Sequence, residues 1–138
     1  MIESISDLHC LFVNVHVNNL SLKDGLPNVG AFSNTPKEGD NLSANWCAYC
    51  TSQSAREMIG KQFRISDGKP KVPANFFIWR FLVSSLRYKV EPKQIVIHHP
   101  TRSNYSHSKI KGEKPTNVSE FRVQMLKAGL WAIAPSLK

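Results

Sequence analysis

Residues 8–17 read LHCLFVNVHV, and this segment carries the clearest structural signal in the chain. Every second position from Leu11 to Val17 is leucine or valine, and the positions between them hold mixed side chains. A period of two is typical of a β-strand that has one apolar face. We therefore predict a first strand over residues 8–17.

Turn-forming and periodic residues divide the remaining chain into short elements. Residues 18–46 are rich in Asn, Gly and Pro, which predicts an irregular loop with a short strand near residues 30–32. Further elements are predicted as strands at 62–66, 76–83 and 94–98, a helical turn at 84–87, helices at 51–58 and 117–128, and a last strand or tail holding Trp131, Ile133 and Leu137. In the second helix, Asn117 and Glu120 have capping-box spacing and Gly129 is a stop signal.

These elements indicate one α+β domain. The 138 residues fit a single domain, here residues 1–138. Four or five short strands and two or three helices do not alternate strictly along the chain. We expect one mixed, mostly antiparallel sheet, with its helices on one side.

The chain has no predicted membrane span. It contains no run of about 18 apolar residues, which a transmembrane helix needs. Its first residues are acidic and lack the basic start of a signal peptide. We therefore expect a cytoplasmic protein without a membrane partner.

Charge is divided unequally between the two halves. The net charge is +8, but residues 1–60 hold three basic and six acidic side chains, whereas residues 61–138 hold fifteen and four. Such asymmetry favours contact with a polyanion such as nucleic acid, although a solvated basic surface explains it equally well.

The three cysteines do not form a disulfide framework. Their odd number favours a reducing compartment. Cys47 and Cys50 form a C-x-x-C pair, which is compatible with two ordinary thiols, a zinc half-site or a redox pair. The distant histidines match no common zinc spacing, so we expect ordinary thiols, no bound metal and no cofactor.

A polar segment at residues 98–112 marks the candidate site. It reads HHPTRSNYSHSKIKG and holds three of the five histidines directly after a predicted strand. Polar side chains at the end of a strand are a common location for ligand contacts or catalysis. If the strand continues, successive side chains point to opposite faces, so His98 and His99 cannot both face one site.

The segment resembles a motif of small, uncharacterised bacterial proteins, written His-x-Pro-x(3)-Asn-x-x-His-x-x-(Ile/Val)-x-Gly. Further likeness lies in residues 31–32 and 40–46, in Thr51 and Arg56, and in Arg122 and Trp131. The chain departs from the family at Tyr105-Ser106 and in the length of residues 61–74. The resemblance implies no activity, only that residues 42–46 and 98–112 belong to one site.

Two functions are compatible with such a site. The first is an accessory protein that binds an anionic ligand, a nucleic acid or a partner protein encoded nearby, through a polar cleft lined by Ser43, Asn45, Trp46, Arg102, Tyr105, Lys109 and Lys111. The second is a metal-independent phosphotransferase or nuclease-like enzyme, because paired histidines can exchange protons near neutral pH. Its candidate catalytic residues are His107, His98 and Asn104.

Nucleic-acid binding has compositional support only. Arg64, Lys69, Lys71 and Lys114 add to the basic set, with Tyr105 and Trp79 as candidate stacking surfaces. The sequence shows no RNP, KH, zinc-finger or helix-turn-helix pattern. It also lacks the P-loop, HExxH and GxSxG motifs, which argues against the corresponding hydrolases.

Overall fold

In the computed structural model, described here for residues 1–35, 41–115 and 117–136, the chain forms one sheet with helices on both faces. Within those ranges the strands are β1 (Cys10–His16), β2 (Asn41–Trp46), β3 (Phe76–Leu82), β4 (Ile95–His98), β5 (His107–Lys111) and β6 (Gly129–Ile133). The helices are α1 (Ser52–Met58), α2 (Val83–Tyr88) and α3 (Ser119–Lys127). This architecture confirms the predicted α+β class.

The sheet is antiparallel throughout its described pairings. Its strand order is β4-β5-β2-β1-β3-β6, so β1 lies inside the sheet between β2 and β3. The alternation that predicted β1 explains this position: Leu11, Val13 and Val15 are buried on one face, and Cys10 and Phe12 are buried on the other.

Helices cover both faces, so the expectation of helices on one side was wrong. Phe121 and Met125 of α3 join the large core beneath Val13. Ala55 of α1 packs with Phe12 and Ile78 on the opposite face. Because β1 is apolar on both faces, each face needs a cover, and each fully buried large side chain contributes roughly 1.5–3 kcal/mol.

Helix ends follow the predicted signals only in part. Thr51 caps α1 as expected, in a capping box with Ser54. For α3 the capping residue is Val118 rather than Asn117, and it makes no side-chain cap bond. Gly129 is the first residue of β6, so the helix passes almost directly into a strand.

Two strands with many polar residues, β2 and β5, were not predicted from the sequence. Residues 18–46 were expected to form an irregular loop, yet β2 occupies 41–46; residues 36–40 within this loop lie outside the described ranges. Residues 30–32 belong to a 3₁₀ turn, Val29–Phe32, rather than a strand.

Two other predicted strands differ from the structure in part. Residues 62–66 form part of a hairpin, joined by a single bridge between Phe63 and Pro70. The predicted strand positions 131 and 133 lie in β6, while Leu137 lies outside the described residues.

No helix among the described residues is both long and apolar enough to span a membrane.

Candidate functional site

Pairing between β2 and β5 brings the two predicted stretches of the site together. Asn45 is opposite His107, and Ser43 is opposite Lys109. Strand alternation then sends Leu42, Ala44 and Trp46 into the large core, and sends Ser43 and Asn45 to the other face. Polar side chains from both strands therefore share one face of the sheet.

A cleft of about 680 Å³ opens on this face, beside α1. Asn14, Ser43, Asn45 and His107 form its floor, from three adjacent strands. Its walls are formed by Ala55 and Met58 of α1, by Lys61, Gln62, Phe63 and Lys71, by Thr101, Ser103 and Asn104, and by the segment that includes Gly30, Ser33 and Thr35. Ligand pockets commonly have this size and concave form.

The cleft carries positive charge and many neutral hydrogen-bonding groups. Lys61 and Lys71 are its lysines, and no Asp or Glu occurs among the described lining residues. An anion entering the cleft therefore meets ammonium groups and carboxamides, without a carboxylate among those described residues to repel it.

A hydrogen-bond network attaches the 101–104 loop to the cleft floor. Asn104 Nδ2 donates to Asn45 Oδ1 at 2.7 Å. The buried Ser106 hydroxyl lies 3.1 Å from Asn45 Oδ1 and 2.6 Å from Asn104 Oδ1, and the Ser106 backbone N–H donates to Asn104 Oδ1 at 3.1 Å. These contacts fix the orientation of both carboxamides before any ligand arrives.

His107 is oriented with one ring nitrogen towards the cleft. Its Nδ1 lies 2.8 Å from the His99 carbonyl oxygen, which can only accept, so Nδ1 carries the proton. In the neutral ring Nε2 is then the basic nitrogen, and it lies 3.4 Å from Ser43 Oγ. A backbone carbonyl that fixes the tautomer in this way is typical of a histidine prepared to accept a proton at its other nitrogen.

His99 is the second imidazole at this position. Its Nδ1 lies 3.4 Å from His107 Nδ1. Burial, followed by the charges of Lys109 and His107, lowers the pKa of His99 below its ordinary value. The neutral form of His99 is therefore favoured.

His98 and Trp46 lie outside the cleft. His98 is 1% exposed on the core side of β4. Its Nδ1 accepts from the Glu3 backbone N–H at 3.0 Å, and its Nε2 lies 2.7 Å from the Tyr105 carbonyl oxygen. Trp46 is also buried and donates from Nε1 to His9 Nδ1 at 2.9 Å. Both side chains hold the N-terminal region to the sheet, so the structure does not bring them to the predicted site.

Tyr105 belongs to this N-terminal cluster as well. Its hydroxyl and that of Tyr49 both donate to the Glu3 carboxylate. The hydrogen bond to Glu3, assisted by desolvation and the negative charge, raises the pKa of Tyr105 to about 12. The phenol is thus a neutral donor to Glu3, and it does not line the cleft.

The remaining predicted cations surround the cleft without lining it. Lys109 and Lys111 share the face of Ser43, one strand further out, and Arg102 is exposed in the 101–104 loop. Lys114, also proposed for nucleic-acid contact, is buried and donates from Nζ to Ile110 O, Gly112 O and Asn34 Oδ1. Trp79, proposed as a stacking surface, is buried in the core.

The three thiols lie near one another beneath α1. Cys47 Sγ accepts from the Cys10 backbone N–H at 3.2 Å. Burial, followed by the contact with Cys47, raises the pKa of Cys10 to about 11, and burial raises the pKa of Cys50. Protonated thiols are poor nucleophiles and poor metal ligands. The described residues contain no group of three or more His, Cys, Asp or Glu placed to hold a metal ion.

Several cleft residues were not predicted. Asn14 and His16 lie on the mixed face of β1, whereas Lys61 precedes the hairpin of residues 62–71 and Phe63 lies within it. The β1 alternation did contain a signal for the first two, because polar residues on one face of a central strand need solvent or a ligand. The walls formed by Lys61 and Phe63 have no equivalent pattern, since their approach to β1 is a tertiary contact.

Comparison with known proteins returns no relative: no protein-family model matches the chain, and no curated protein or solved structure is found to match it. The resemblance of residues 98–112 to small bacterial proteins therefore stays a prediction.

Proposed function

We propose that this protein is a cytoplasmic accessory protein that binds an anionic ligand in the cleft. The observation that carries the proposal is the lining itself: Lys61 and Lys71 beside oriented carboxamides, with no acidic side chain among the described lining residues. Three unbridged thiols fit a reducing compartment.

Orientation of the floor supports binding rather than a merely solvated surface. Asn45 and Asn104 are held by Ser106, so a ligand does not have to order them on arrival. Preorganised groups lose less entropy on binding than mobile ones do.

The surrounding cations extend this surface for a larger partner. Arg102, Lys109 and Lys111 lie beside the cleft, on the loop and strand that supply Asn104 and His107. A nucleic acid, another polyanion or the acidic surface of a partner protein could contact them while one anionic group occupies the cleft. Such contacts add affinity without sequence specificity.

Calorimetric titration with inorganic triphosphate tests the proposal directly. We expect binding that weakens with added salt, and a further loss of about 5- to 30-fold in K61Q/K71Q, from roughly 0.5–1 kcal/mol for each exposed charge contact. K127Q is the matched control, because Lys127 is exposed at the end of α3 on the opposite face. Absence of binding, or an equal loss in K127Q, would contradict the proposal.

A second candidate function is acid–base catalysis on a phosphate ester. The orientation of His107 favours it: Nδ1–H is held by the His99 carbonyl, and Nε2 faces the cleft near Ser43. In this reaction Nε2 takes the proton of an attacking water as its oxygen bonds to phosphorus. The P–O bond to the leaving group then breaks, and the leaving oxygen receives the proton from His107.

Hydrolysis of bis(4-nitrophenyl) phosphate separates this candidate from simple binding. If His107 is the base, H107A lowers kcat by about 10²- to 10⁴-fold. A wild-type protein that binds triphosphate but never turns over the diester would remove the enzyme and leave the binding protein.

A further inference from the structure

A smaller recess lies beside the cleft, at the end of β1 that holds His16. It has a volume of about 100 Å³ and is lined by His16, Arg64, Lys71, Val72, Asn75 and Phe76. His16, Lys71 and Phe76 line both spaces, so the recess and the cleft are adjacent. A ligand with two parts can therefore contact the lining of both spaces.

The recess has the chemistry of a phosphate subsite. Arg64 is paired with Asp67, whereas the Lys71 ammonium donates to the neutral Gln62 side chain at 3.1 Å and has no carboxylate partner among the described residues. His16 Nδ1 accepts from the Asn18 backbone N–H at 3.0 Å, which leaves Nε2 as the protonated nitrogen of the neutral ring. An ammonium and an imidazole N–H in a small recess suit a phosphoryl group.

The cleft next to it offers groups that recognise a nucleobase. Phe63 lines the cleft although its side chain is 65% exposed, so a ring face is available for stacking. Asn14 Oδ1 is buried and has no hydrogen-bond partner among the described residues. A buried acceptor of this kind is costly unless a ligand or water donates to it, and a base N–H is a suitable donor.

We propose that the anionic ligand is a mononucleotide: its phosphate lies at Lys71 and His16, which line both the cleft and the recess, and its base lies in the cleft between Phe63 and the carboxamide floor. This inference rests on the proposed function and names the chemistry of its ligand. Phe63 and Lys71 belong to one hairpin, held by hydrogen bonds from Arg64 N to Lys69 O and from Lys71 N to Gln62 O. One element thus supplies both the stacking surface and the cation.

Calorimetric titrations with adenosine 5′-monophosphate, ribose 5-phosphate and inorganic phosphate test the inference. We expect the nucleotide to bind about 5- to 150-fold more tightly than ribose 5-phosphate, which is the range for stacking one base on an aromatic side chain. F63L removes this difference, whereas K71Q weakens all three ligands. I65A is the matched control, because Ile65 is 86% exposed on the same hairpin and does not line the cleft.

Failure of the inference is distinguishable from failure of anion binding. If ribose 5-phosphate binds as tightly as the nucleotide and F63L changes neither, the nucleotide assignment is overturned while the anion site stands. If an eight-residue single-stranded oligoadenylate binds and the mononucleotide does not, the inference is also overturned, in favour of a nucleic-acid strand. If none of these three ligands binds but inorganic triphosphate does, the nucleotide assignment is overturned and the anion site stands; if triphosphate also fails to bind, both proposals fall.

Discussion

Glu3 and His98 are joined by a hydrogen bond from the backbone N–H of Glu3 to Nδ1 of the imidazole, at 3.0 Å, across 95 positions of the chain. The other ring nitrogen, which must then carry the proton, lies 2.7 Å from the Tyr105 carbonyl oxygen. A single neutral histidine thus joins the N-terminal segment, β4 and the loop before β5. This explains why a histidine that looks catalytic in the sequence is buried instead.

Substitution of His98 tests this structural role. H98L leaves the Glu3 N–H and the Tyr105 carbonyl without their partner, so we expect a loss of about 2–4 kcal/mol in the free energy of unfolding by urea. Triphosphate binding by the folded variant should be unchanged. R102Q, at an exposed position, is the control and should alter stability by less than about 0.5 kcal/mol. A stable H98L variant that no longer binds would place the imidazole in the ligand site after all.

The lowered pKa of Lys114 predicts that its contribution to the free energy of unfolding increases at alkaline pH. Burial lowers the pKa of Lys114 to about 8, against an ordinary value of 10.5. Between these values the unfolded chain binds more protons than the folded one, so this residue makes stability rise with pH, by about 1.4 kcal/mol per unit of pKa difference at most. The free energy of unfolding of the wild type should therefore increase relative to that of K114M between pH 8 and pH 10.5.

The comparison with K114M is needed because a buried thiol acts in the opposite sense. The pKa of Cys10 is raised to about 11 from 9.0, which makes stability fall with pH over that window. This contribution is common to wild type and variant and cancels in the difference. At pH 7 we also expect K114M to be less stable by about 1–3 kcal/mol, because Ile110 O, Gly112 O and Asn34 Oδ1 lose their donor. A pH-independent difference would contradict the first expectation.

The contact between Tyr105 and Glu3 is measurable by titration. Because the hydrogen bond to the Glu3 carboxylate is the main cause of the raised Tyr105 pKa, E3Q should move that pKa from about 12 towards the ordinary value of 10.0. NMR of ring-labelled tyrosine follows each phenol separately. Tyr88 is the internal control: Asp7 raises its pKa, so E3Q should leave it unchanged and D7N should lower it. An unmoved Tyr105 in E3Q would mean that the phenol lacks this partner in solution.

Gly129 marks the place where α3 turns into β6 against β3. A Cβ built there would lie well inside van der Waals contact with the Arg80 carbonyl oxygen and Trp79 Nε1. We expect G129A to lower thermal stability by the equivalent of about 1–3 kcal/mol, the usual range for overpacking. G60A is the matched control, since a Cβ at Gly60 would make only an ordinary contact with Pro73, at 3.4 Å. Equal melting temperatures for G129A and G60A would contradict the tight approach of the two strands.

The polar strands β2 and β5 were not predicted from the sequence. In β2, Leu42, Ala44 and Trp46 alternate with Asn41, Ser43 and Asn45, and this period was present in the sequence. The many turn-forming residues before β2 favoured a loop at that position, and the polar residues around β5 did the same for β5. Both strands are stabilised by pairing and by one buried face, so their composition resembles that of a loop.

The candidate site combines residues that the sequence suggested with a geometry that only the fold provides. Ser43, Asn45, Asn104 and His107 were selected in advance, and the pairing of β2 with β5 brings them together. The side-chain period of two also turns Trp46 of β2 and His98 of β4 to the core face of the sheet, away from the cleft.

Local sequence was sufficient to predict the α+β class, the elements β1, β3 and α1, and the position of the polar segment in the chain. Alternation, apolar runs and helix caps carry this information because they involve only a few neighbouring residues. The strand order, the division of helices between the two faces and the cationic hairpin beside the cleft were decided only in three dimensions. They depend on contacts between residues far apart in the chain, and the free energy of such contacts comes from surfaces that exist only after the sheet has formed.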